Sequence, residues 1–492
     1  MNGNVQHGRY FVKNKVCDLR PSISRRSSDT RRPSRRLLFH KVSHDRKKGI
    51  IRKDGLWKCF VEKILRTCSD IKRLYLLVRV KKDKLIEKRI DDYFDNVLFD
   101  VLRKTRPNFR QQISIIEGDL SLPGIGISSE DRRHLIDTVD VIIHNAAMVI
   151  FSAKISTLLS TNVLGTKEML DLAVECRHLK ADLQIVRDMI RSDIENEAGL
   201  SKEVLSNFLG PFPNPYVFTK AIAESIVQDY AKKVSFPCGV FRMSIVLSTY
   251  KEPLTAWCGN MNGPTFSLVG IGLGLIHAIC IAKHGAPDLV PADMTANACL
   301  AAVWDLVENK YRRKDHKEGC IYNYGSSVVN PLSYYYFQEV VQKYGVTIPS
   351  SKNVWKCCLV LCTSYRLFMV YHVLFHYIPA IIADIFCLVQ FKKPKFMSML
   401  LRIEKHRSEL LYFMVNNWTI KVDEMVKIWE RMNTTDHELF FCDLRELDWE
   451  RYCIIYWRGL RVYLLKDPMD NLEEAKRTNL YELRLLINYV KK

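Results

Sequence analysis

Tyr216 and Lys220 in "YVFTK" stand four residues apart, and on a helix positions i and i+4 share a face. An ammonium beside a phenol favours the phenolate and lowers the tyrosine pKa from about 10, the condition for exchanging a proton with a carbonyl or an alcohol near neutrality. The same spacing arises by chance on any amphipathic helix, so the pair takes its weight from what precedes it. Arg79 follows "LYLLV", where a guanidinium can grip the 2′-phosphate of NADP bidentately or simply sit solvated at a strand end. Asp119 in "EGDL" can accept from an adenine amino group or cap a turn. His144, Asn145, Ala146 and Ala147 end a strand in mostly small residues, which lets backbone approach a cofactor closely and equally just packs. Asn162 in "TNVLGTKEML" falls early in a helix that lines the same crevice, or caps that helix.

Such residues need a scaffold, and the hydrophobic pattern supplies one. "LWKCFVEKILRTC" has helical spacing, "RLYLLVRV" is a short branched and aromatic run, and "KLIEKRIDDYFDNVLFDVLRK" is helical again. Strands follow at "QISIIEGDL" and "VDVIIHNAA", a helix at "TNVLGTKEMLDLAVECRHL", and another strand at "PCGVFRMSIVLST". Strands without polar alternation, separated by helices, predict a parallel sheet covered on both faces, hence an α/β, doubly wound, Rossmann-like NAD(P)-binding domain. Ligands in such a sheet sit at the carboxyl ends of the strands, where the residues above fall. The Gly-rich run "GPTFSLVGIGLGLIHAICIA" is too short and too rich in glycine for a membrane span and predicts a packed loop and helix beside a pocket.

The expected division is a basic Ser/Arg-rich disordered tail over 1–50, the nucleotide-binding domain over 51–325, a mainly helical carboxy-terminal domain over 333–467, and a helical tail over 468–492. Within the third part, residues 367–391 are apolar enough to cross or lie in a bilayer, with the lysines that follow suiting a cytosolic interface; a buried helical hairpin is the alternative, favoured by Pro379 and Asp384. Net charge is +20, but residues 1–50 alone hold 14 Lys/Arg against 3 Asp/Glu, so the body is only modestly basic. The tail lacks aromatic interleaving or a recognition fold, and nucleic-acid binding is not expected. Fifteen scattered cysteines without C-x-x-C pairs, and no apolar signal peptide, fit a reducing compartment and no metal site.

Taken in order, "VEKILRTCSDIKRLYLLVRVKK", "EGDLSLPGIGIS", "VIIHNAAMVIF", "NVLGTKEML", "YVFTKAIAE", "FRMSIV" and "GNMNGPT" resemble the signature segments of the alcohol-forming fatty acyl-CoA reductases. "YHVLFHYIPAIIADIF", "FFCDLRELDWERY" and "GLRVYLLKD" resemble the carboxy-terminal domain peculiar to that family, so the likeness covers roughly residues 55 to 467. It implies an extended short-chain dehydrogenase/reductase fold and NADPH-dependent reduction of a long-chain fatty acyl-CoA to a primary alcohol through the aldehyde. It further implies Tyr216, Lys220 and Asn162 as catalytic groups, with Asn162 holding a water of the proton chain. Arg79, Asp119, Asn145, Ala146, Ala147 and Lys220 would line the cofactor. An intracellular membrane, endoplasmic reticulum or peroxisome with the catalytic domain facing the cytosol, is the implied location, and a homo-oligomer is compatible with it.

Two segments depart from the family. Its first strand and its T-G-x-x-G-F-L-G fingerprint are replaced here by the basic tail and "GIIRKDGLWKCFVEK", which sets Ile51, Asp54 and Trp57 where the glycines belong. A tryptophan there would fill the pyrophosphate space and an aspartate would repel it. Between "AVECRHLKAD" and "LQIVRDMIRSD" the family's strand ending in S-T-A-Y, with its serine, is missing; Ser192 and Ser201 lack that context. Whole strands lost between intact flanks look like missing coding segments. The expected alternative to catalysis is a membrane-associated homologue that binds acyl chains or partner reductases.

Overall fold

The computed structural model describes residues 36–40, 55–68, 71–80, 85–149, 153–175, 202–234, 236–308 and 320–480. Four parallel strands form the nucleotide-binding sheet: β1 (Arg36–His40), β2 (Arg73–Val78), β3 (Ile113–Glu117) and β4 (Val141–His144), in the order β3-β2-β1-β4. This is the doubly wound order, with the switch point between β1 and β4.

At residues 36–40 β1 corrects the expectations of a disordered tail and a missing first strand; the rest of 1–50 lies outside the described residues. Residues 36–40, "RLLFH", take the central place, pairing His40 with Leu77 on one side and with His144 on the other. An apolar run flanked by strands on both sides is the pattern a central parallel strand requires, and this short run inside an otherwise polar segment meets it. The basic flank had hidden it.

Past β4 the sheet does not continue among the described residues. Instead β5 (Gly239–Met243) pairs with β9 (Cys320–Tyr324), β6 (Ile245–Val246) with β8 (Leu289–Val290), and β7 (Ala278–Cys280) with β10 (Val360–Cys362), each as a separate parallel pair. Residues 176–201, with Ser192 and Ser201, lie outside the described residues.

Helix α1 (Gly55–Thr67) follows the switch-point loop. Trp57, Phe60, Val61, Ile64 and Leu65 recur at helical spacing and are buried. Trp57 therefore belongs to the core around Phe60 and Trp257, not to a pyrophosphate space, a second correction; Ile51 and Asp54 lie outside the described residues. The buried charges of α1 are satisfied in a network: Lys63 pairs with Glu252, Arg66 reaches Glu62 at 2.7 Å and Glu252 at 3.0 Å, and Asn297 donates to Glu252 at 3.0 Å. Pairing of this kind is what permits charge in a core.

Residues 35–492 form one compact unit. The largest apolar cluster draws on both sides of the expected boundary at 333, joining Leu268 and Tyr324 to Tyr452 and Trp457. The Gly-rich run forms a nine-residue helix (Pro264–Gly272) and strand β7, bordering a cavity. Gly459, at the end of a helix over Trp449–Gly459, lies so close to the Ala256 carbonyl that an added Cβ would fall 1.9 Å from its oxygen. Gly459→Ala is expected to lower the unfolding free energy by about 1–3 kcal/mol, read as a drop in the urea midpoint; an unchanged midpoint would refute this close packing.

Candidate active site

The helix carrying Tyr216 begins at a well-built terminus. Asn214 accepts a hydrogen bond from the Val217 amide at 2.9 Å, Pro215 holds the first helical position, and the helix, α2, runs over Pro215–Ala231. Tyr216 thus occupies the first turn and Lys220 the next, on one face.

Facing them is the carboxyl end of β4. The chain enters a helix at Ile155, widens into a π turn over Leu159–Leu164, and continues as α-helix over Gly165–Val174. Asn162 sits in the π turn, a local distortion often found at functional sites, and is buried. Its Oδ1 accepts from the Met148 amide at 2.7 Å, and its Nδ2 donates to the Met148 carbonyl at 3.3 Å and to Thr219 Oγ1 at 3.1 Å. Thr219 in turn donates to the Tyr216 carbonyl at 2.9 Å. Asn162 therefore staples the loop after β4 to the turn that carries Tyr216. Its side chain is engaged by these protein groups.

Thr166 Oγ1 donates to the Asn162 carbonyl at 2.6 Å, so towards His144 Nε2, 3.1 Å away, it can only accept, and the imidazole carries its proton on Nε2. Burial, and then the nearby Lys220 ammonium, push the His144 pKa down to about 3, so it is neutral. Burial also lowers the Lys220 pKa, opposed by Glu224.

Tyr216 departs from the expectation of a depressed pKa. Burial, and then the Glu224 carboxylate, raise it to about 12. The phenol is a proton-bearing donor through the neutral range. Glu224 is itself held by Arg242 of β5 at 2.7 and 2.9 Å. The sequence reading missed Thr219, Thr166, Glu224 and Arg242, although Glu224 stands four residues after Lys220 and the i,i+4 rule points to it.

At the ends of β2 and β3 the structure brings Arg79 and Asp119 together. Arg79 Nε lies 2.6 Å from Asp119 Oδ2, while Asp119 Oδ1 accepts from Ser121 N at 3.0 Å and Ser121 Oγ at 2.7 Å. Ala146 is buried against the sheet core, Ala147 half-buried, and Asn145 exposed. The cation at β2, the small-residue loop after β4 and the Tyr216–Lys220 face fit the adenosine and nicotinamide ends of a dinucleotide. The pyrophosphate loop falls in residues 41–54, outside the described residues. Two small cavities are lined mainly by apolar residues, Leu400 and Ile403 in both, and neither is lined by Tyr216 or Lys220. Among the described residues no cluster suits a metal ion.

Comparison with known proteins follows the same outline. Two family models described as male sterility protein, the first an NAD-binding one, match residues 56–299 and 375–467. The chain is 33% identical to fatty acyl-CoA reductase wat of Drosophila melanogaster, over 94% of this chain and 91% of that one. It is 28% identical to fatty acyl-CoA reductase 1 of Mus musculus, over 86% and 85%. Among solved structures, the terminal R domain from the myxalamid biosynthetic pathway superposes with a TM-score of 0.56 at 16% identity, covering 88% of this chain and 92% of that one, a likeness of fold.

Proposed function

The chain belongs to the fatty acyl-CoA reductase family, and from that premise we propose that it reduces a long-chain fatty acyl-CoA to the primary alcohol with NADPH, on the cytosolic face of an intracellular membrane such as the endoplasmic reticulum or peroxisome. The observation that supports this reading most is Lys220 beside a neutral His144 at the carboxyl end of β4, one helical turn on from Tyr216, with the Asn162 staple tying the loop after β4 to the turn that carries Tyr216.

NADPH, when bound, supplies the hydride. As charge gathers on the thioester oxygen, Tyr216 donates its phenolic proton there. Lys220 adds positive charge at the same end of the crevice, and Asn162 fixes the loop that limits how the acyl carbon approaches. Breaking the C–S bond releases the CoA thiol and the aldehyde; a second hydride and a second proton through Tyr216 give the alcohol. Arg79, at the end of β2, would leave Asp119 for the 2′-phosphate, the stronger bidentate anion.

The absent glycine fingerprint and serine strand favour a second reading, a non-catalytic membrane-associated homologue that binds acyl chains or partner reductases. Titration of purified protein with NADPH and NADH, followed by product analysis with a long-chain acyl-CoA, separates the two. The expected result is NADPH binding, alcohol formation, and a rise of about tenfold in the NADPH dissociation constant for Arg79→Gln, one charge-assisted contact being worth about 1.5 kcal/mol, with NADH unaffected. Absence of nucleotide binding would leave only the second reading.

A further inference from the structure

A continuous helix runs from Tyr365 to Val389: α-helix to His372, a π turn over Val373–Tyr377, and α-helix from Ile378. Its buried positions are Phe368, His372, His376, Ala383 and Cys387. They form one narrow seam, drifting slightly more than the about 3.6 residues per turn of a regular helix, and the π turn absorbs the drift. His372, His376 and Asp384 are spent on the protein body, while Arg366 is exposed in the first turn of the helix. His376 Nε2 accepts from the His277 amide at 2.8 Å, so its proton is on Nδ1 and is donated to His372 Nδ1 at 2.8 Å. His372 Nε2 lies 3.0 Å from Glu404, which Arg407 also grips at 2.6 Å. Asp384 accepts from the amides of Lys395, Phe396 and Met397 at 2.8, 2.8 and 2.9 Å, capping the helix over Phe396–Val415.

From Leu367 to Val389 the exposed positions are apolar, Val370, Leu374, Ile381, Ile385, Phe386 and Val389 among them. At its end Phe391 takes a left-handed backbone (φ 55°) that favours glycine and turns a ring outward that is 99% exposed, and Lys392, Lys393 and Lys395 follow. An apolar strip bounded by cations matches acyl chains bounded by anionic headgroups.

We propose that this helix lies flat in the headgroup–acyl boundary of an anionic bilayer, axis parallel to the surface, and does not cross it. Crossing would strip His376 from His277, His372 from Glu404 and Asp384 from its helix cap, and set all three in hydrocarbon. The inference sharpens the membrane part of the proposed function and needs none of its chemistry.

The full chain, tagged at both ends, is mixed with preformed phosphatidylcholine vesicles with or without phosphatidylserine, free of acyl-CoA and nucleotide. It is expected to sediment with the serine-containing vesicles, with both tags open to added protease. Replacing Lys392, Lys393 and Lys395 by glutamine should weaken that binding roughly a hundredfold, at a factor of about five per lysine. Ile385→Glu with Val389→Glu should abolish it and leave the thermal midpoint unchanged, since both side chains point outward. Protection of one tag would overturn the proposal in favour of a span. A solution dimer dissolved by Ile385→Glu would assign the face to a second copy, and failure of every form to sediment would leave no lipid role. Each result stands whether or not the protein reduces acyl-CoA.

Discussion

Replacing Tyr216 by phenylalanine is expected to lower the rate of acyl-CoA reduction by about 10²–10⁴-fold while leaving NADPH affinity and the urea midpoint unchanged. The substitution removes one oxygen from a half-buried ring in the first turn of its helix, so packing is kept and only proton donation is lost. The raised pKa sharpens the test. Burial and Glu224 hold the phenol near 12 against an ordinary 10, so it stays protonated through neutrality, ready for the reductive direction. Its folded pKa exceeds its unfolded one, so the stability it contributes is present below about 10 and is lost as pH rises towards 12. The reductive rate should accordingly show no falling limb from Tyr216 near neutrality. A full rate in Tyr216→Phe would remove Tyr216 from the chemistry.

Much of this was legible in the sequence because the signals are local and periodic. The strands at 73–78, 113–117 and 141–144 are short runs rich in branched apolar residues without regular polar alternation, and the placement of Arg79, Asp119 and His144 at or just after their carboxyl ends follows from strand polarity alone. What was hidden depends on pairing at a distance. Nothing in "RLLFH" distinguishes a five-residue central strand from an apolar interruption in a basic tail until Leu77 and His144 are seen on either side of His40. Trp57 reads as an obstruction in a glycine register and is a core residue, because the helix turns it towards Phe60 and Trp257. The i,i+4 rule placed Lys220 on the face of Tyr216, but the burial and the Glu224 carboxylate that raise the phenol's pKa become visible only in the fold. The apolar segment showed its length in the sequence, while the use of His372, His376 and Asp384 on the body required the fold.

Asn162→Ala is expected to cost about 3–5 kcal/mol of unfolding free energy, well above the middle of the range for single substitutions. The Met148 amide and carbonyl each lose their Asn162 partner, at about 1–3 kcal/mol apiece when left buried and unpaired, and the truncated side chain leaves a cavity besides. Thr219 suffers less, since its hydroxyl keeps the Tyr216 carbonyl. Asn162→Asp should fall between, because a carboxylate still accepts from the Met148 amide but cannot donate to the carbonyl. The measurement separates two roles. A residue that only holds a water would lose rate without losing stability. A staple loses both together, since releasing the loop after β4 loosens the turn carrying Tyr216. Urea unfolding and turnover on the same Asn162→Ala preparation decide between them, and an unchanged midpoint with a depressed rate would return Asn162 to the proton chain.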